Sequence, residues 1–278
     1  MALGISLGSG GARGYAHIGV LKALEEAGIA PALINGSSIG AIVGGAYALY
    51  RDTDKLVKLA KALADQVNLR YFNLFRYSMG ARAFLQNWLL HAACDISALR
   101  ISIYSHRRNL KALDYLFKDH SFSDTQIPFS AVAVDLLSGE VISVKEGPLV
   151  KGVLASISIP GIFPPVERDG RLLVDGGVLA DVPVRELKAE GAEFVIAVKL
   201  EGEDYIPIMR SGLSLLTYVD FLKGEALSEW ELEAADFVIR VDLSGLDIME
   251  FGSYPKAIAR GYDATRRILP KLRRVLGS

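Results

Sequence analysis

Three short stretches of the chain carry residues with chemistry in them. "INGSSIGAIVGGA" (34–46) holds Gly36-Ser37-Ser38-Ile39-Gly40, a Gly-x-Ser-x-Gly pattern. On a strand–turn–helix, that pattern lifts a serine hydroxyl toward a substrate carbonyl, and the small residues Gly36 and Gly40 permit the sharp turn. The plainer reading makes Ser38 the N-cap of the following helix. "LLVDGGVLADVPV" (172–184) places Asp175 at the end of an apolar run, followed by Gly176 and Gly177. A carboxylate projecting from a strand end can serve as a base, although Asp-Gly also makes an ordinary turn. "LGSGGARG" (7–14) brings Gly10, Gly11 and Arg13 between a strand-like run and a helix-like one.

A serine nucleophile needs something to take its proton. The four histidines are His17, His91, His106 and His120, and none lies in the second half of the chain. The Ser…Asp…His order of an α/β-hydrolase requires a late histidine, and its serine elbow comes later than a second strand. His17 falls in the first helix and reads as structural. Asp175 is the conspicuous remaining candidate for the base.

The glycine loop admits several readings. A Walker A loop ends in Gly-Lys-Ser/Thr, and this loop has no lysine. A dinucleotide fingerprint counted from Gly8 meets Arg13 at its sixth position, and the second strand ends in Asn35 and Gly36 rather than an acid. Backbone N–H groups at a helix start favour negative charge, so Gly10 and Gly11 can form an oxyanion hole. Arg13 can hold a phosphate or anchor the loop to a carboxylate. A tight strand-to-helix turn with a surface arginine is the plain alternative.

These residues need a scaffold, and the rest of the sequence describes one. The chain has 278 residues, of which 51% are hydrophobic, enough to bury a sizeable core. Formal net charge is −1, which offers no general attraction to nucleic acid. The one cysteine, Cys94, has no internal disulfide partner. "MALGISLGSGG" runs directly into a strand-like segment without a basic leader, so a cytoplasmic location is expected. Apolar spacing predicts strands near 3–8, 32–36, 172–174, 194–200 and 237–242. It predicts helices near 15–27, 39–50, 109–118, 149–157, 184–190 and 213–235, another after Asp52-Thr53-Asp54, and a basic C-terminal helix. "FSAVAVDLLSGEVISV" reads as a hairpin turning near Ser138-Gly139. Strand–helix alternation implies a parallel sheet, and with no repeat or linker the expectation is one α/β domain over 1–278.

Taken in order, "GSGGARGYAHIGVLKALEEAGI", "INGSSIGAIVGGAYA" and "SISIPGIFPPVERDGRLLVDGGVLADVPV" resemble the patatin-like phospholipase family, especially its short bacterial members. The similarity runs over about 3–200, with helices of 211–278 expected to pack on that core. The resemblance implies a three-layer α/β/α fold with a mainly parallel central sheet. It implies a Ser–Asp dyad of Ser38 as nucleophile and Asp175 as proton acceptor, oxyanion-hole glycines at Gly10 and Gly11, and a phosphate contact at Arg13. It also implies a phospholipid or other acyl-ester lipid as substrate, with no metal or cofactor. Ser9 stands where many relatives carry another glycine, and Asp181 where asparagine is common.

Two functions compete with lipid acyl hydrolysis: acyl transfer to an alcohol by the same dyad, and non-catalytic lipid binding. Residues 68–94 interleave Arg70, Arg76 and Arg82 with Tyr71, Phe72, Phe75, Tyr77, Phe84 and Trp88. That mixture suits a peripheral membrane contact or an acyl-chain lid, and equally a packed helical excursion with its arginines in water. Arg266, Arg267, Lys271, Arg273 and Arg274 read as a solvated helix face. Oligomeric state has no signature in the sequence.

Overall fold

The computed structural model describes residues 1–67, 101–102, 104–202, 212–248 and 250–277. Its eight strands are β1 (Leu3–Leu7), β2 (Leu33–Ser37), β3 (Phe129–Asp135), β4 (Val141–Val144), β5 (Val166–Arg168), β6 (Arg171–Asp175), β7 (Phe194–Glu201) and β8 (Phe237–Asp242). Its helices are α1 (Ala16–Glu26), α2 (Ile39–Tyr50), α3 (Thr53–Val67), α4 (Arg107–Phe117), α5 (Leu149–Ser156), α6 (Val184–Ala189), α7 (Gly212–Leu232) and α8 (Tyr254–Leu276). The segment 68–94, read above as a lid, a membrane contact or a packed excursion, lies outside the described residues.

The strands form one sheet in the order β5-β6-β3-β2-β1-β7-β8, with β4 paired to β3. Strands β3, β2, β1, β7 and β8 run parallel. The predicted hairpin is present as the antiparallel β3–β4 pair, with Gly139 at φ 74° in its turn. Strand β6 is antiparallel to β3, and β5 to β6.

Burial sorts the sheet into two faces. Along β7, Phe194, Ile196, Val198 and Leu200 enter the larger core. That core also takes Val20, Leu21 and Leu24 of α1, Val43 and Tyr47 of α2, and Leu269 and Leu272 of α8. Val195 and Ala197 alternate to the opposite face, where they meet Val184 and Leu187 of α6 and Leu232 of α7. Helices on both faces of a mainly parallel sheet make the three-layer α/β/α arrangement, as expected. Helix α8 crosses α1 where both are small: a Cβ at Gly261 would run into the Ala16 carbonyl. Its basic residues Arg266, Arg267, Lys271, Arg273 and Arg274 are exposed. Among the described residues, no helix is long and apolar enough to cross a membrane.

The register also explains how two distant residues meet. Ser37, the last residue of β2, lies opposite Val132 of β3. Asp175, the last residue of β6, lies opposite Ala133, the next residue along β3. The two strands thus end at adjacent positions on a shared neighbour.

Candidate active site

Ser38 follows β2 directly and opens α2. Its backbone sits at φ 54° and ψ −121°, a conformation that non-glycine residues rarely adopt. Two bonds fix that backbone. The Ser38 N–H donates to Ser156 Oγ at 3.0 Å, and the Ser156 hydroxyl donates to the Val132 carbonyl at 2.6 Å. The Ser38 carbonyl begins α2 by accepting from Ala41 N–H at 2.9 Å. Ser38 therefore holds the N-cap position, but its hydroxyl makes no cap bond.

That hydroxyl instead donates to Asp175 Oδ2 at 2.7 Å. The other carboxylate oxygen, Oδ1, accepts the Gly177 N–H at 2.8 Å. Asp175 thus makes the Asp-Gly turn with one oxygen and meets the serine with the other. Its own N–H is held by the Ser158 carbonyl at 3.0 Å. Both side chains are nearly covered, Ser38 at 8% exposure and Asp175 at 5%. Burial pushes the Asp175 carboxyl up to about 7; the Ser38 and Gly177 bonds oppose the rise, and the nearby Asp181 charge adds to it.

The motif glycines are required by close approach. A Cβ at Gly40 would strike the Leu7 carbonyl oxygen, and one at Gly176 would strike the Val132 carbonyl oxygen. The first contact brings the start of α2 against the end of β1, where the glycine loop begins.

In that loop Gly10 (φ 145°) and Gly11 (φ 56°) use backbone space that side chains disfavour. The flanking N–H groups are occupied: Gly8 donates to Val198 O at 3.1 Å, Ser9 to Asp181 O at 3.0 Å, Ala12 to Ile248 O at 2.7 Å and Arg13 to Gly10 O at 3.2 Å. The Gly10 and Gly11 N–H groups take part in none of these bonds. They are the N-cap and first residue of a 3-10 turn over Gly11–Tyr15 that leads into α1, so the helix dipole favours an anion beside them. A Cβ on Gly14 would collide with Ile39, the residue after Ser38, so loop and elbow are in contact.

Arg13 donates from Nε to the Leu246 carbonyl at 2.8 Å, and its guanidinium packs against Gly202. It anchors the loop, as one reading anticipated, but to a carbonyl oxygen rather than a carboxylate. His17 is fully buried and its Nε2 donates to the Gly8 carbonyl at 2.8 Å. Burial pulls the ring down to about 4, so it is neutral at physiological pH and supports the loop from α1. His106 stacks on Phe163, and His120 faces Asp124 at 3.6 Å.

Sequence reasoning did not find Ser156, whose contact with Ser38 spans 118 residues, or Ser158, whose backbone carbonyl holds the Asp175 N–H. It also missed Lys199, which lies inside a strand-like apolar run. A cavity of about 530 Å³, lined by Leu33, Pro128, Phe129 and Glu190 among others, opens at the opposite end of the strands, away from Ser38. Among the described residues, no cluster of three or more His, Cys, Asp or Glu side chains is placed to hold a metal ion.

Comparison with known proteins gives this arrangement its context. The family model described as patatin-like phospholipase matches residues 5–188, a range that includes Gly10, Gly11, Ser38 and Asp175. An uncharacterized NTE family protein of Mycobacterium tuberculosis is 38% identical over 203 residues, covering 73% of this chain and 50% of that protein. The human patatin-like phospholipase domain-containing protein 6 is 30% identical over 230 residues, covering 82% of this chain and 15% of that one. The chain therefore spans about half the length of the mycobacterial relative and a small part of the human one. In three dimensions it is similar to VipD from Legionella pneumophila, with a TM-score of 0.54 at 16% identity, over 97% of this chain and 66% of that one.

Proposed function

The chain belongs to the patatin-like phospholipase family, and from that premise we propose that it is a serine-dependent lipid acyl hydrolase working through a Ser38–Asp175 dyad. One observation carries the reading: the buried 2.7 Å hydrogen bond from Ser38 Oγ to Asp175 Oδ2. Asp175 takes the hydroxyl proton as Ser38 Oγ forms its bond to the acyl carbonyl carbon. The carbonyl electrons move onto oxygen, and the Gly10 and Gly11 N–H groups stabilise that oxyanion. Collapse expels the alcohol portion of the lipid, which leaves with the proton that Asp175 returns. Water then attacks the acyl-serine, giving its proton to Asp175, which returns it to Ser38 Oγ as the fatty acid departs.

A carboxyl held near 7 suits both halves of this cycle, because a base and acid work best when poised near the operating pH. An unperturbed aspartate near pH 4 would be ionised but a much weaker base.

The surroundings fit an acyl-ester lipid. Three exposed apolar side chains sit beside the residues that hold the site. They are Val178 in the turn after Asp175, Ile159 next to Ser158, and Ile248, whose carbonyl binds the loop. We assign the acyl chain and a peripheral membrane contact to this edge, with residues 1–278 acting as one catalytic unit. A fluorophosphonate probe should label the wild-type chain at Ser38 and leave Ser38→Ala unlabelled. Labelling that persists in Ser38→Ala would place the nucleophile elsewhere.

A further inference from the structure

Behind the glycine loop lies a buried charged network that the dyad chemistry does not itself use. Lys199 belongs to β7, on the face that Val195 and Ala197 present to the smaller core. Its side chain is only 6% exposed, and its ammonium has three partners: Asp181 Oδ2 at 2.8 Å, Ser228 Oγ at 2.8 Å and Glu225 Oε1 at 3.5 Å. Three donors meeting three acceptors leave the group fully used. Ser228, on α7, passes a hydrogen bond on to Asp181 Oδ2 at 2.8 Å. The remaining oxygen, Asp181 Oδ1, accepts the Ser9 hydroxyl, and the Asp181 carbonyl accepts the Ser9 N–H at 3.0 Å. One residue thus grips Ser9 by both its side chain and its backbone, immediately before Gly10.

Two further observations show what that grip reaches. Ser9 Oγ lies 3.3 Å from where a Cβ on Gly177 would stand, so Ser9 backs directly onto the turn that holds Asp175. Ahead of it, Gly10 and Gly11 have no side chains to restrict them, and their φ angles of 145° and 56° are two of many that glycine can take. A loop of that kind needs an external reference to keep its N–H groups aimed at one point. Buried ion pairs add little to net stability, whereas fixing one geometry is a use to which they are suited.

We propose that Asp181, held by Lys199 and Ser228, is a positioning residue that sets the oxyanion-binding loop through Ser9. The inference rests on the acyl-hydrolase reading above. On it, the hydroxyl of Ser9 and the charge of Asp181 act on the transition state, where the oxyanion forms, and not on ground-state binding. Helix α7 enters the site's geometry through Ser228 and Glu225.

The test is steady-state hydrolysis of a water-soluble p-nitrophenyl acyl ester by the full chain, with fluorophosphonate labelling of Ser38 run in parallel. Ser9→Ala should lower kcat about tenfold with little change in KM, because the loop's donors are misaimed and not removed. Ser9→Thr, which keeps the hydroxyl, should recover most of the loss. Asp181→Asn should behave like Ser9→Ala, and Ser9→Ala leaves the ion pair intact should Asp181→Asn not fold. Wild-type kcat in Ser9→Ala, a loss confined to KM, or a Ser9→Thr as slow as Ser9→Ala would each overturn the inference while the wild-type chain stays active. A wild-type chain that neither labels nor turns over would overturn the hydrolase reading, and the inference with it.

Discussion

Asp175 divides its two oxygens between a turn and a serine, and burial makes the second bond useful. Its folded-state value of about 7 stands above the ordinary carboxylate value of about 4. Catalysis by the ionised form should therefore switch on as pH rises, with the acid limb of kcat/KM centred near 7. A limb near 4 in a pH–rate profile would contradict the assignment. The same elevation has a cost in stability. Between about pH 4 and 7 the folded chain keeps a proton at Asp175 that the unfolded chain has released, so stability falls as pH rises through that window. Asp175→Asn, which carries no charge to bury, should accordingly raise Tm at pH 8, with the gain shrinking toward zero near pH 4. Thermal unfolding at the two pH values checks this, and an equal or lower Tm at pH 8 would argue against a strained buried carboxylate.

At the level of elements, the site depends on strand ends that arrive at the same place. The sharp turn that presents Ser38, the proposed nucleophile, is legible from Gly36-Ser37-Ser38-Ile39-Gly40 because such a turn demands small residues at fixed offsets. The alternation of β1, α1, β2 and α2 is legible for the same local reason, as is β8, whose bounds at Phe237 and Asp242 agree with the expected ones. Strand β5 was not legible: three residues carry no period, and their pairing with β6 is set by the neighbour. The antiparallel sense of β6 was equally hidden, since Leu172–Val174 looks alike in either direction. Close packing between these elements gives a sharp test. Gly40→Ala forces a methyl group into the Leu7 carbonyl. It should destabilise the chain by about 1–3 kcal/mol in urea unfolding. A neutral outcome would mean that α2 does not rest on β1 as described.

Across the whole molecule, the family match ends at residue 188, yet the sheet continues. Strand β7 pairs with every residue of β1 from Leu3 to Leu7, β8 pairs with β7, and α8 packs on α1. The later third of the chain therefore supports the loop that begins where β1 ends. Lys199, Ser228 and Leu246 are all drawn from it, and each touches that loop or its partner Asp181. Such long-range contacts are invisible to local pattern, which is why Ser9 and Asp181 stood out only as unusual positions and not as bonded partners. The proposed chemistry turns on one contact, the hydrogen bond from Ser38 Oγ to Asp175 Oδ2. Turnover of a p-nitrophenyl ester by Asp175→Asn tests it most directly, because asparagine keeps the shape of the turn and removes the proposed base. The account predicts that kcat/KM falls by about 10³-fold or more, with the fold retained. Near wild-type turnover by a folded Asp175→Asn protein would contradict it.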